Sequence, residues 1–112
     1  MFGKLLYWFL GFRRKGKGGV YSRIRVTLYT RHHCHLCEVA HNSLLETQQS
    51  YPFALSIIDI DSDRELAERY GDQVPVVAVN GKVRFHGKVN RVLLQRLLHA
   101  EARRRPAAGE EK

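Results

Sequence analysis

Apolar and polar residues alternate from Ile24 to Tyr29, with Ile24, Val26 and Leu28 on one side and Arg25, Thr27 and Tyr29 on the other. A period of two is that of a β-strand with one buried face. From Cys34 to about Gln49 the spacing changes, and Leu36, Val39, Ala40, Leu44 and Leu45 follow a helical repeat. Phe53–Ile60 predicts a second strand, carrying Phe53, Leu55, Ile57, Ile58 and Ile60, with Asp59 and Asp61 closing it. Ser62-Asp63-Arg64-Glu65 has capping-box spacing, Ser62 as N-cap and Glu65 reaching back. The short helix that follows carries Leu66 and Tyr70, and Gly71 is expected as its C′ residue. Val74–Val79 predicts a third strand with Pro75 at its first position, where a missing N–H is tolerated. Asn80-Gly81 is a strong hairpin signal leading to Val83-Arg84-Phe85-His86, and Gly87 breaks that strand. Asn90 is the expected N-cap of a last helix bearing Val92, Leu93, Leu94, Leu97 and Leu98, with Arg103–Arg105 at its C-terminus.

The predicted order is β-α-β-α-β-β-α. A helix between the first two strands makes them parallel, with a right-handed crossover, and the last two strands form a hairpin. An α/β fold with a four-stranded mixed sheet and helices on both faces accommodates every element. The 112 residues suffice for one domain with a modest core. The expected organisation is a basic, apolar N-terminal extension over 1–22, a folded domain over 23–105 and a solvated tail over 106–112. No internal repeat is present.

The extension opens with Phe2, Leu5, Leu6, Tyr7, Trp8, Phe9, Leu10 and Phe12, then Arg13-Arg14-Lys15-Gly16-Lys17-Gly18-Gly19. As a helix the apolar part would reach roughly 16–18 Å, about half a bilayer core. A signal peptide places its charges before the apolar run, and here the order is reversed. Aromatic residues followed by basic ones suit a weak membrane-surface contact through Met1–Lys17. The competing readings are a flexible tail, a segment packed on its own domain or a partner, and an organelle transit peptide. A cytoplasmic protein with peripheral membrane association is the expectation.

Net charge is +8. Of the 19 Lys and Arg, eight precede Glu38 with no acid among them, which leaves eleven against eleven acids in the remainder. A nucleic-acid-binding domain would carry its basic stripe on the folded body. The excess lies in the extension and first strand, so nucleic acid is not an expected partner.

Cys34-His35-Leu36-Cys37 contains the only cysteines. The loop they would close is too short to staple a fold, and small secreted domains usually carry more pairs. A transient disulfide in a reducing compartment fits better. A thiolate is the attacking species in disulfide exchange, and a helix start favours that anion. Arg31, His32, His33 and His35 add positive charge nearby. Cys37, one turn further in, shares a helix face with Cys34 and is expected to be more buried. The expected roles are Cys34 as nucleophile and Cys37 as resolving thiol.

Val26–Tyr29, Cys34–Cys37, Val74-Pro75 and the turn containing Gly87 resemble a glutaredoxin, within the thioredoxin superfamily. The likeness spans about Ile24–Leu98. It is nearest to a glutaredoxin-like group marked by Leu-Tyr-Thr, Cys-x-Leu-Cys, Asp-Ile-Asp-Ser-Asp and Tyr-Gly-x-x-Val-Pro-Val. The resemblance implies a thioredoxin-like fold and a thiol–disulfide oxidoreductase that binds no cofactor. Its partner would be a disulfide-bearing protein, or glutathione as co-substrate. It further implies a cis Val74–Pro75 bond beside the dithiol, with the Val74 backbone pairing to an extended substrate. Arg31, Val74, Pro75 and Gly87 are therefore candidate substrate-binding residues. Pro-Tyr between the cysteines is replaced by His35-Leu36, paired glycines are reduced to His86-Gly87, and the following acidic pair is Val89-Asn90. The dithiol carries over well and the glutathione site only in part.

Two other readings use the same residues. Cys34, Cys37 and a nearby histidine, among them His41 one turn on, would suit a soft metal, although neighbouring residues rarely close a tetrahedron around one ion. A non-catalytic adaptor would keep the fold and dock through its N-terminal segment. Haem attachment is excluded, because Glu38 rather than His follows Cys37.

Overall fold

The computed structural model describes residues 19–104; the expectations for Met1–Lys17, for Arg105 and for the 106–112 tail lie outside them. A 3-10 turn at Gly19–Arg23 leads into β1 (Arg25–Thr30), α1 (His35–Ser50) and β2 (Ala54–Asp59). A second 3-10 turn (Ile60–Ser62), α2 (Arg64–Tyr70), the hairpin β3 (Val76–Val79) and β4 (Lys82–His86), and α3 (Arg91–Arg103) complete the chain. The sheet order is β2-β1-β3-β4. β1 runs parallel to β2 and antiparallel to β3, and β3 runs antiparallel to β4. The β-α-β-α-β-β-α order and mixed sheet are as the pattern predicts, and they are the thioredoxin-like arrangement that the resemblance implies.

Alternation explains the layers. Val26 and Leu28 of β1 join Leu55, Val77, Val79 and Phe85 in one core with Ala40 and Leu44 of α1 and Leu94 and Leu98 of α3. α1 and α3 therefore cover this face. Tyr29 points the other way and its ring lies 4.8 Å from that of Tyr70 on α2, so α2 covers the second face. Every residue of β3 is buried, as befits an interior strand covered on both sides. Asn80 (φ 51) and Gly81 (φ 84) both take the left-handed conformation that a two-residue hairpin turn requires.

Several boundaries differ from the sequence pattern. Asp63, not Ser62, caps α2: its carboxylate accepts from the Glu65 N–H at 2.9 Å. Ser62 belongs to the preceding 3-10 turn and donates to the Asp59 carbonyl at 2.6 Å. Asp59 nucleates that turn by accepting from the Asp61 N–H at 3.0 Å, which delays the helix start by one residue. The second strand accordingly ends at Asp59, before Ile60. Gly71 closes α2 with φ −45, a right-handed conformation rather than the left-handed C′ geometry. Pro75 precedes β3 instead of opening it. Asn90 caps α3 as expected, accepting from the Leu93 N–H at 3.1 Å. Of the five apolar residues assigned to that helix, Leu94 and Leu98 are buried, whereas Val92 (59% exposed) and Leu93 (47%) face solvent. Five apolar residues exceed one helical stripe, and the pair at i and i+4 takes the core.

Candidate active site

The strand register gathers the site. Thr30 at the end of β1 pairs with Asp59, Tyr29 pairs with Val76, and Val76 pairs with His86. The segments that leave or enter these ends are Arg31–Cys34, Asp59–Asp61, Val74-Pro75 and His86-Gly87. All four lie at one end of the sheet.

Cys34 is the N-cap of α1, in extended conformation (φ −121, ψ 105), and its Sγ accepts from the Cys37 N–H at 3.2 Å. Its carbonyl accepts from Cys37 and Glu38 at 3.1 and 3.2 Å. The chain reaches it through His33, whose φ of 57 turns the loop sharply into the helix. Cys34 and Cys37 are joined as a disulfide with Cα atoms 5.2 Å apart. Cys37 is 3% exposed and Cys34 only half-buried. A reagent in solvent therefore meets Cys34 first. When the bond is reduced, the amide that now touches Cys34 Sγ is aimed at a thiolate, and the helix N-terminus favours the same charge.

Arg31 is held by two partners. Its Nη2 and Nε donate to the Asp61 carboxylate at 2.8 and 3.2 Å, and its Nη1 donates to the Gly71 carbonyl at 3.0 Å. The hydrogen bond from Arg31 holds the Asp61 carboxyl below its ordinary 3.8 and raises the guanidinium in turn. His32 Nε2 lies 3.3 Å from the second oxygen of Asp59. Asp59, Asp61 and the Gly71 carbonyl are parts of the site that sequence reasoning did not assign. Asp-Ile-Asp-Ser-Asp signalled the two carboxylates as a segment but named no partner.

The Val74–Pro75 peptide is cis; Pro75 is buried and Val74 half-buried. The Pro75 carbonyl accepts from the Gly87 N–H at 2.9 Å, which ties the entry of β3 to the exit of β4. Gly87 has φ 88, and a Cβ there would meet nothing within 4 Å, so its requirement is conformational and not steric. The Val74 backbone makes no hydrogen bond to other backbone among the described residues. Leu36 (42% exposed) and Val39 (47%) add an apolar rim on the first turns of α1.

Residues 25–99 match the glutaredoxin-like domain (DUF836) family, about two thirds of the chain. The chain belongs to the glutaredoxin-like family. A solution NMR structure of a protein from Nitrosomonas europaea is 30% identical, with a TM-score of 0.59, over 66% of this chain and 89% of that one. An X-ray structure of a protein from X. campestris is 32% identical, with a TM-score of 0.55, over 67% and 96%. A mutant thioredoxin from Halobacterium salinarum shares the fold at 20% identity and a TM-score of 0.59, over 80% and 85%. No curated protein matches the chain.

For this glutaredoxin-like domain the arrangement offers one accessible sulfur, one buried sulfur and a helix start between them. Among the described residues, no three His, Cys, Asp or Glu side chains converge to hold a metal ion, and no helix is long and apolar enough to cross a membrane.

Proposed function

We propose that the protein is a thiol–disulfide oxidoreductase working through Cys34 and Cys37. The observation that carries the reading is a disulfide at the cap of α1, one sulfur half-exposed and the other buried. The Cys34 thiolate attacks a substrate disulfide, forming a mixed disulfide and releasing the first substrate thiolate, which takes a proton from water. The Cys37 thiolate then attacks Cys34 Sγ and expels the second. Two electrons pass to the substrate and the Cys34–Cys37 bond re-forms; run backwards, the same steps oxidise a dithiol.

In this reading the Val74 backbone pairs with an extended substrate beside the dithiol, and Gly87 holds the adjoining turn. Arg31 brings its charge to the site as half of an ion pair with Asp61. The exposed Leu36 and Val39 suit a disulfide-bearing protein as partner, with glutathione as co-substrate to regenerate the dithiol. The proposed setting is a reducing compartment such as the cytoplasm.

The deciding experiment follows reduction of a glutathione mixed disulfide with glutathione and its reductase, in parallel with insulin reduction driven by a thioredoxin reductase. Turnover in either arm, abolished by Cys34→Ser, supports the reading. Absence of turnover in both, with a Cys34–Cys37 pair that no thiol buffer reduces, overturns it.

A further inference from the structure

The two ends of the sheet differ in charge. At the end that holds Cys34 both signs are mixed: the acids of residues 59–72 are interleaved with Arg64 and Arg69, and Arg31 pairs with Asp61. The opposite end begins where β1 starts at Arg25 and the hairpin turns at Asn80-Gly81, since Val26 pairs with Val79 and Val79 with Lys82. The C-terminal part of α3 is tied to this end by the Asn80 amide donating to Glu101 at 2.8 Å. The Gly19–Arg23 turn is tied there too, through Tyr21 and His99 at 3.3 Å.

This end displays Arg23, Arg25, Lys82, Arg96, Arg103 and Arg104, all exposed. Arg96, Arg103 and Arg104 share an open depression of about 430 Å³ with His99 and Ala100. The acid among them, Glu101, is shielded, its side chain 10% exposed and paired with Arg104 at 3.2 Å. In sequence, Gly19 at this end is preceded by Arg13, Arg14, Lys15 and Lys17 and by the aromatic run Tyr7-Trp8-Phe9.

We infer that this basic end is a docking surface for an anionic lipid bilayer, which directs the Cys34 end away from the membrane. Arginines match lipid phosphates, and each basic residue at an anionic surface adds a small increment. The basic excess lies on this end, whereas the Cys34 end mixes both signs, so one orientation is favoured. Aromatic residues close in sequence to Gly19 favour a bilayer over a nucleic acid, which offers no apolar phase.

The test uses the full chain and sedimented vesicles of phosphatidylcholine with and without a third of phosphatidylserine. Binding should require phosphatidylserine and weaken as salt rises. Arg96→Glu with Arg103→Glu should reduce partitioning about tenfold or more, while Arg64→Glu, toward the Cys34 end, should leave it unchanged. On vesicles, the reduced protein should keep its Cys34 alkylation rate toward a soluble reagent. Unaltered binding in the double variant, shielding of Cys34 on vesicles, or tighter binding to single-stranded RNA than to vesicles at equal salt would each overturn the inference. None of these readouts depends on the redox activity.

Discussion

The two sulfurs differ in position by one helical turn, and that difference should govern their chemistry after reduction. The Cys37 N–H points at Cys34 Sγ. A hydrogen bond to a charged acceptor is worth roughly 1.5–3 kcal/mol and a helix N-terminus roughly 0.3–1 kcal/mol. Part of each acts on the neutral thiol as well, so about 2 kcal/mol of preference for the thiolate is a fair sum. That corresponds to about a 30-fold larger thiolate-to-thiol ratio. From about 3% ionised at neutral pH the thiolate fraction rises about 15-fold, while nucleophilicity falls about fivefold with a Brønsted slope of roughly 0.5, which leaves a gain of roughly threefold. Cys37 is 3% exposed and reacts only when the first turn of α1 opens, which lowers its rate further. Cys34 should therefore be alkylated at least about tenfold faster than Cys37 at neutral pH. Brief exposure of the reduced protein to iodoacetamide, a quench, and mass spectrometry of the peptides around each cysteine measures the ratio. Equal rates, or faster labelling of Cys37, would refute the assignment of nucleophile and resolving thiol. Cys37→Ser should in addition accumulate a mixed disulfide on Cys34.

Other consequences are open to measurement. His33 sits at φ 57, where a β-branched side chain is disfavoured, so His33→Val should cost roughly 1–2 kcal/mol in urea unfolding whereas His33→Asn is tolerated. Asp61 is held below its ordinary 3.8 by Arg31. Its pairing therefore contributes stability that is fully present above 3.8 and is lost as pH falls through the lower folded value. Asp61→Asn and Arg31→Ala should each flatten that part of the acid-unfolding profile, and the double variant should be no flatter than the stronger single one. Leu98→Ala should cost about 2–5 kcal/mol because its side chain is fully buried, whereas Val92→Ser should stay within about 0.5 kcal/mol, as thermal or urea unfolding will show.

Most of the frame was legible because it is written in local signals. β1 alternates, since only half of its side chains enter the α1–α3 core. β3 does not alternate, being buried on both faces; Asn80-Gly81 marked its end, whereas its start lies at Val76, two residues after the expected Val74. Ser62 failed as a cap because three consecutive polar residues, Asp61, Ser62 and Asp63, compete for one helix start. The winner depends on Asp59 having already closed a 3-10 turn onto the Asp61 N–H. Val92 and Leu93 stay outside the core because the apolar content exceeds the stripe that α3 can bury.

Arg31 shows the limit most directly. It stands three residues before Cys34, and sequence distance alone assigns its charge to the thiol. Its observed partners, Asp61 and Gly71, are 30 and 40 residues away. What brings them together is the parallel pairing of β1 with β2, which sets Thr30 opposite Asp59 and delivers the segments after both strands to the same end of the sheet. No local pattern encodes that register; it follows from which faces of β1 and β2 are buried together. The guanidinium therefore ties the loop after β1 to the start and end of the α2 region, on the approach to Cys34. The electrostatic preference for a thiolate then falls chiefly to the α1 N-terminus, whose amide already contacts the sulfur. A charge-neutral variant at Arg31 should consequently disturb the position of the loop more than the ratio of Cys34 to Cys37 labelling. Loss of that ratio in Arg31→Ala, with the fold's stability intact, would return the role to the charge.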